Sequence, residues 1–112
     1  MNVSDKNQDY FEKVFTIVSQ IPRGKVTTYG AIAGCIGVKS GARMVGWALN
    51  KSIGHEEYDV PAHRVVNRLG QLSGRGYFPG DTMRELLEQE DVLFKEDYTV
   101  DINKHFWDPC EE

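Results

Sequence analysis

Apolar side chains recur at Tyr10, Phe11, Val14, Phe15, Ile17, Val18 and Ile21. That three- and four-residue spacing turns one helical face toward a core. It predicts an amphipathic helix over 9–21, ended by Pro22 and Gly24. Beyond Lys25 and Val26, a threonine of the Thr27-Thr28 pair is placed to cap a second, short helix running to about 36, and Gly37 closes it. Ser40 or Gly41 is expected to cap a third helix from 42 to about 50. Two short helices joined by a tight glycine-containing turn make a helix-turn-helix. The second helix of such a pair presents its N-terminal residues, here including Arg43, to DNA.

The second half has shorter periods. After a polar, loop-like stretch at 53–58, residues 64–67 read as a strand, 68–71 as a turn and Leu72-Ser73 as a return strand, giving a small hairpin or wing. The run 74–80 is a mobile loop by composition. Asp81 or Thr82 is expected to cap a helix carrying Leu86, Leu87 and Glu90. Residues 92–95 and 98–101 flank Glu96-Asp97 as a second hairpin, and the aromatic stretch 103–109 is expected to pack rather than dangle.

A chain of 112 residues suits a single domain over 1–112 with one modest core. The net charge of −4 is unevenly spread: −1 over 1–21, +5 over 22–75 and −8 over 76–112. The middle could therefore meet a phosphate backbone although the whole chain is acidic, while an ordinary solvated acidic tail accounts for the charge equally well. No apolar run approaches a membrane span, and the start lacks a signal pattern, so an intracellular, cytoplasmic protein without membrane partners is expected. Cys35 and Cys110 are far apart with no partner cluster. Neither a zinc site nor a disulfide is expected, no cofactor or metal is implied, and Cys35 reads as a small core residue.

The run Val60-Pro61-Ala62-His63-Arg64-Val65-Val66-Asn67 resembles the Pro-Cys-His-Arg-Val signature of the O6-alkylguanine-DNA alkyltransferases, with Ala62 at the cysteine position. The stretch Ile21-Pro22-Arg23-Gly24-Lys25-Val26-Thr27-Thr28-Tyr29-Gly30 and the later Gly41-Ala42-Arg43-Met44-Val45-Gly46 also resemble that family. The likeness covers 21–90 with its motifs in the family's order. It implies an α/β, mostly α, winged helix-turn-helix domain like the C-terminal domain of the alkyltransferases, with small β-hairpins. Alkyl transfer in this family is attack by a cysteine thiolate on the alkyl carbon, and a methyl side chain has no lone pair to attack with. The resemblance therefore points to the alkyltransferase-like group, in which the cysteine is replaced, most often by tryptophan and sometimes by alanine. The connection after Ser52 and the Phe106-Trp107 pair before Pro109 also resemble that group.

By the same resemblance, Arg43 enters the base stack from the minor groove, and Tyr29 rotates the target phosphate and lines the pocket. Ala62, His63, Arg68 and Ser73 join Tyr29 around the lesion, with Gly74 and Tyr77 bordering it. His63 and Glu90 match the pair that activates the cysteine and, with no thiol, become a structural couple, while Arg64 supports the helix-turn-helix through backbone carbonyls. The small Ala62 leaves room for larger adducts. Lys25, Lys39 and Lys51 are candidate phosphate contacts, although loop lysines are usually just solvated. The implied partner is double-stranded DNA containing O6-alkylguanine, bound by a monomer and flagged for nucleotide excision repair proteins. Two other readings stand beside this one: a winged-helix transcriptional regulator reading the major groove, and an alkyltransferase inactivated by Cys→Ala at position 62.

Overall fold

The computed structural model describes residues 3–37, 41–53 and 59–111, of which 3–8 are described as backbone only. The expected cap at Ser40, the phosphate candidate Lys39 and most of the loop after Ser52 lie outside these residues. Helix α1, Val3–Ser19, begins earlier than the apolar period suggests and ends two residues sooner. Its Tyr10, Val14 and Val18, with Ile21 just beyond, are buried against Ile32, Ala33, Val45, Ala48 and Leu49 of the next two helices.

Strand β1, Thr27–Thr28, runs directly into helix α2, Tyr29–Ile36. Thr28 has extended backbone, and its hydroxyl accepts a hydrogen bond from the Ala31 amide at 3.0 Å, filling one of the orphan donors of the first turn. Gly37 ends α2 at φ 91°, the left-handed conformation that glycine adopts without a Cβ penalty. Helix α3, Gly41–Ser52, then packs across α2. A Cβ on Gly41 would lie 2.6 Å from both the Ala33 Cβ and the Tyr10 hydroxyl. Only glycine lets the two helices close to this distance, and Tyr10 fixes the approach by donating to the Gly41 carbonyl at 3.1 Å.

Strand β2, Val65–Val66, pairs in parallel with β1, Thr27 opposite Val65 and Thr28 opposite Val66. This corrects the expected hairpin between 64–67 and Leu72-Ser73. A parallel partner needs a long crossover, here the whole of α2 and α3, and no local pattern of two valines can report it. The 68–71 turn does form, organised by the Asn67 carboxamide oxygen, which accepts from the Leu69 and Gln71 amides at 3.0 and 2.9 Å. Its Gly70, at φ 86°, packs so closely on strand β4, Thr99–Val100, that a Cβ would come within 2.5 Å of the Val100 carbonyl oxygen.

Residues Arg75–Tyr77 of the glycine-rich loop form a 3-10 turn leading to helix α4, Thr82–Gln89. Asp81 occupies the N-cap position without a capping hydrogen bond, contrary to expectation. Its carboxylate instead accepts from the Tyr98 hydroxyl at 3.0 Å. Strand β3, Phe94–Glu96, and β4 form the expected antiparallel hairpin, whose Val100 joins Val26, Val66, Leu72, Met83, Leu87 and Val92 in a second buried cluster.

A one-turn helix α5, Ile102–His105, leads into the aromatic tail, which is pinned. The Val26 amide donates to the His105 carbonyl at 2.9 Å, and the Trp107 amide donates to the Val26 carbonyl at 2.8 Å. That path carries Cys110 to Cys35 on α2, and the two form a disulfide with Cα atoms 5.4 Å apart. The expectation of no disulfide is thereby overturned, because the return of the tail along Val26 is a tertiary event that a sequence separation of 75 conceals. Cys35 is half-buried rather than a core residue.

Closing so long a loop removes unfolded-state entropy amounting to about 4 kcal/mol. Cys35→Ser, Cys110→Ser and the double substitution should lower the urea-denaturation stability by similar amounts, up to that size. Wild-type protein in reductant should match them, and a midpoint indifferent to reductant would show that the bond does not form.

Candidate functional site

The Pro61-Ala62-His63-Arg64 run is a tight corner. The Ala62 amide donates to Val60 O at 2.8 Å and the Arg64 amide to Pro61 O at 3.0 Å, so Ala62–Arg64 makes one 3-10 turn before β2. The corner sends Ala62 inward, 8% exposed, and aims His63 and Arg64 at Glu90 just past α4. Arg64 grips the carboxylate with both arms of its fork, Nε to Oε1 at 2.9 Å and Nη2 to Oε2 at 2.8 Å, while Nη1 donates to the Ile21 carbonyl at 2.8 Å. His63 Nε2 lies 2.8 Å from Oε2 of the same carboxylate.

Burial pushes the Glu90 carboxyl up, but the hydrogen bonds from Arg64 and His63 and their charges more than reverse this, holding it at about 2. For His63, burial pushes the imidazole down and outweighs the opposing hydrogen bond and charge of Glu90, with the Arg64 charge adding a smaller push the same way as burial. The ring is therefore neutral near pH 7, and Nε2–H donates to Glu90. This is a hydrogen bond rather than an ion pair, and the ion pair proper is Arg64 with Glu90.

Beside this corner opens a cleft of about 700 Å³. Ala62 and His63 line it with Ser52 and Ile53 at the end of α3, the Phe78-Pro79 step and Leu86 of α4. No cysteine lines it among the described residues. The Ser52 hydroxyl donates to the Leu49 carbonyl at 2.7 Å and that of Ser19, also on the wall, to the Phe15 carbonyl, so neither is poised against a base. The Thr82 hydroxyl on the same wall donates to the Pro79 carbonyl, so among the described residues the cleft has room for a flat or aliphatic group and offers no activated nucleophile.

Tyr29, first residue of α2, faces the loop on the other side of the corner. Its hydroxyl faces the Ser73 side chain, and a Cβ on Gly74 would fall 2.9 Å from it. Burial pushes the phenol up, against the lowering effect of Ser73, so it stays protonated. The structure thus brings Tyr29 to Ser73 and Gly74, and Ala62 to His63, but Tyr29, Arg68 and Ser73 are not on the cleft wall. Arg68 is exposed on its turn, and Tyr77 is exposed on its loop. Arg43 projects from the outer face of α3. Lys25 is exposed, while Lys51 lies 5.6 Å above the Phe11 ring.

Sequence reasoning missed Arg75, whose guanidinium stacks 3.7 Å from the Tyr98 ring and anchors the 74–80 loop to the C-terminal hairpin. It also missed the Phe78-Pro79 and Ser52-Ile53 walls. An apolar pair inside a glycine-rich loop was the one available hint of the former.

Comparison with known proteins places this arrangement. The family profile of the 6-O-methylguanine DNA methyltransferase, DNA binding domain, matches residues 9–92. Alkyltransferase-like protein 1 of Schizosaccharomyces pombe is 37% identical over 106 residues, 90% of this chain and 96% of its own. The chain belongs to the alkyltransferase-like group of this family. A DNA base-flipping protein of Escherichia coli K12 is 36% identical over 104 residues, 92% of this chain and 78% of its own. The crystal structure of S. pombe Atl1 in complex with damaged DNA containing O6-carboxymethylguanine superposes with a TM-score of 0.75 at 34% identity, covering 89% of this chain and 95% of that one. The fold is that of the family's mostly helical DNA-binding domain.

A carboxyl held at about 2 against an ordinary value of 4.5 stabilises the fold above pH 4.5, and its contribution is lost as pH falls through that window toward 2. Glu90→Gln should cost on the order of 3 kcal/mol at pH 7, because Arg64, only 17% exposed, loses its counter-charge. Urea denaturation across pH 7 to 2 should show the loss between pH 4.5 and 2 in the wild type and a flatter profile there in the variant. Parallel profiles would place the acid sensitivity elsewhere.

Proposed function

We propose that the protein binds duplex DNA carrying an alkyl group on guanine O6, turns the damaged nucleotide out of the stack, and leaves the alkyl group in place. The carrying observation is the methyl of Ala62 on the wall of the cleft, in the Pro61-Ala62-His63-Arg64-Val65 run that resembles the family's Pro-Cys-His-Arg-Val signature. The S. pombe relative solved with O6-carboxymethylguanine DNA and the E. coli relative named for base flipping support the same reading.

Extruding a base costs a few kcal/mol in unstacking and unpairing, which the protein must recover by filling the gap and enclosing the base. Arg43, on the exposed side of α3, fills the gap from the minor groove. Tyr29, a neutral phenol beside Ser73 and Gly74, meets the rotated phosphate and the edge of the base. The cleft beside Ala62 takes the alkyl group, and a methyl-sized side chain leaves space for adducts larger than methyl. His63 and Glu90 hold the corner in shape, since no thiol stands beside them to be deprotonated. The monomeric complex inside the cell then marks the lesion for nucleotide excision repair proteins, with the acidic 76–112 region as the surface offered to them.

The test is binding to matched duplexes carrying guanine or O6-methylguanine at one position, repeated at several salt concentrations because phosphate contacts move every affinity with salt. The methylated duplex should bind more tightly and keep its methyl group. Arg43→Ala and Tyr29→Ala should each weaken binding to it by roughly tenfold, about 1.4 kcal/mol. Equal affinity for the two duplexes would leave a general DNA-binding domain, and transfer of the methyl group to protein would refute the absence of chemistry.

A further inference from the structure

We propose that Trp47 is a DNA-contacting residue that packs on the sugar-phosphate wall of the groove beside Arg43, setting affinity for any duplex rather than preference for the lesion. The inference rests on the reading of α3 as the helix that faces DNA. Gly41, Val45, Ala48, Leu49 and Ser52 are the buried residues of α3. At 100° per residue these define one side of the helix, and Arg43, Gly46, Trp47 and Asn50 fall on the opposite side. Trp47 is 55% exposed and has no hydrogen bond or ring contact among the described residues.

Exposure alone decides nothing, since single exposed apolar residues are ordinary. Two further observations select the occupant. The exposed face of helix α3 carries Arg43, and the helix has no aspartate or glutamate although the chain's net charge is −4, so this face suits a polyanion. Gly46, one turn from Arg43 and adjacent to Trp47, sits inside the helix, where glycine is unfavourable relative to alanine. A Cβ there would meet nothing within 4 Å, and its φ is not in the left-handed region, so packing within the protein does not require glycine. Bare backbone at that point lets a groove wall approach closely. An indole beside it offers a flat apolar face to deoxyribose and an N–H donor to a phosphate oxygen. Sugar and phosphate are the same in damaged and undamaged DNA, so the contact carries affinity without discrimination.

The chain has two tryptophans, Trp47 and Trp107, so Trp107→Phe leaves Trp47 as the sole indole emitter. Adding either the unmodified or the O6-methylguanine duplex should change that emission. In the otherwise unaltered chain, Trp47→Ala should weaken both duplexes by roughly tenfold, within the range found for aromatic–nucleic acid stacking, with their affinity ratio and the melting temperature unchanged. Trp47→Phe should recover part of the loss. Gly46→Ala should raise the melting temperature and yet weaken binding, an opposition that a purely structural glycine would not show.

Unaltered affinity in Trp47→Ala overturns the proposal, as does a sedimentation shift from dimer to monomer in that variant with DNA binding intact, which would make this face a contact between copies of the chain. If the wild type binds both duplexes equally while Trp47→Ala weakens both, the contact stands and the lesion reading falls. If neither duplex binds, both fall.

Discussion

One carboxylate ties three distant parts of the chain together. Glu90, at the end of α4, receives both arms of the Arg64 fork and the His63 imidazole, and the remaining arm of Arg64 reaches the Ile21 carbonyl beyond α1. Removing these charges from water is expensive, and the bidentate geometry with every nearby donor engaged is what offsets it. Such a network contributes less as net stability than as orientation. It fixes the 3-10 corner, and the corner fixes which way the Ala62 methyl faces and where β2 starts. Since β2 pairs with β1, and Thr28 of β1 caps α2, the position of the helix-turn-helix follows from the same tie.

Close approach is the second constraint. Gly41 lets α2 and α3 meet, and Gly70 lets the turn after Asn67 sit on β4. Each holds one of the elements flanking the corner at a distance that no side chain permits. On the far side, the Arg75–Tyr98 stack and the Tyr98–Asp81 hydrogen bond join the glycine-rich loop to the C-terminal hairpin. The loop that carries Ser73, Phe78 and Pro79 is thus braced from behind by residues remote from the motif.

What was legible in the sequence follows from the range of the forces involved. The spacing of Tyr10, Val14 and Val18 announces α1, and Thr28 and Gly37 bracket α2, because caps and periodicity are local. The Ala62-His63-Arg64 corner was legible through its motif, with Glu90 as its distant partner. Three features were not legible. The parallel pairing of Val65-Val66 with Thr27-Thr28 spans two helices, the Cys35–Cys110 bond depends on the tail following Val26, and the cleft wall is assembled from the ends of three helices and a loop. Each is a meeting of segments whose local sequences carry no record of one another. The separation of Tyr29 and Ser73 from the cleft beside Ala62 belongs with them, since a motif names residues without saying which share a wall.

The state of the His63–Glu90 couple bears on why alanine at position 62 is compatible with an otherwise intact site. A carboxylate pinned at about 2 by a guanidinium is a weak base, and a neutral imidazole that spends its Nε2–H on it is held in place by it. In a catalytic site such a couple would be judged by how it stabilises a transition state. Here no thiol stands beside it among the described residues, and the role proposed for it is mechanical, holding a corner and a cleft at fixed separation. On the proposed reading, interaction energy between this cleft and a flipped nucleotide is not divided between ground and transition states. It goes into affinity, mostly through the dissociation rate, so the lifetime of the complex is what such an architecture would tune.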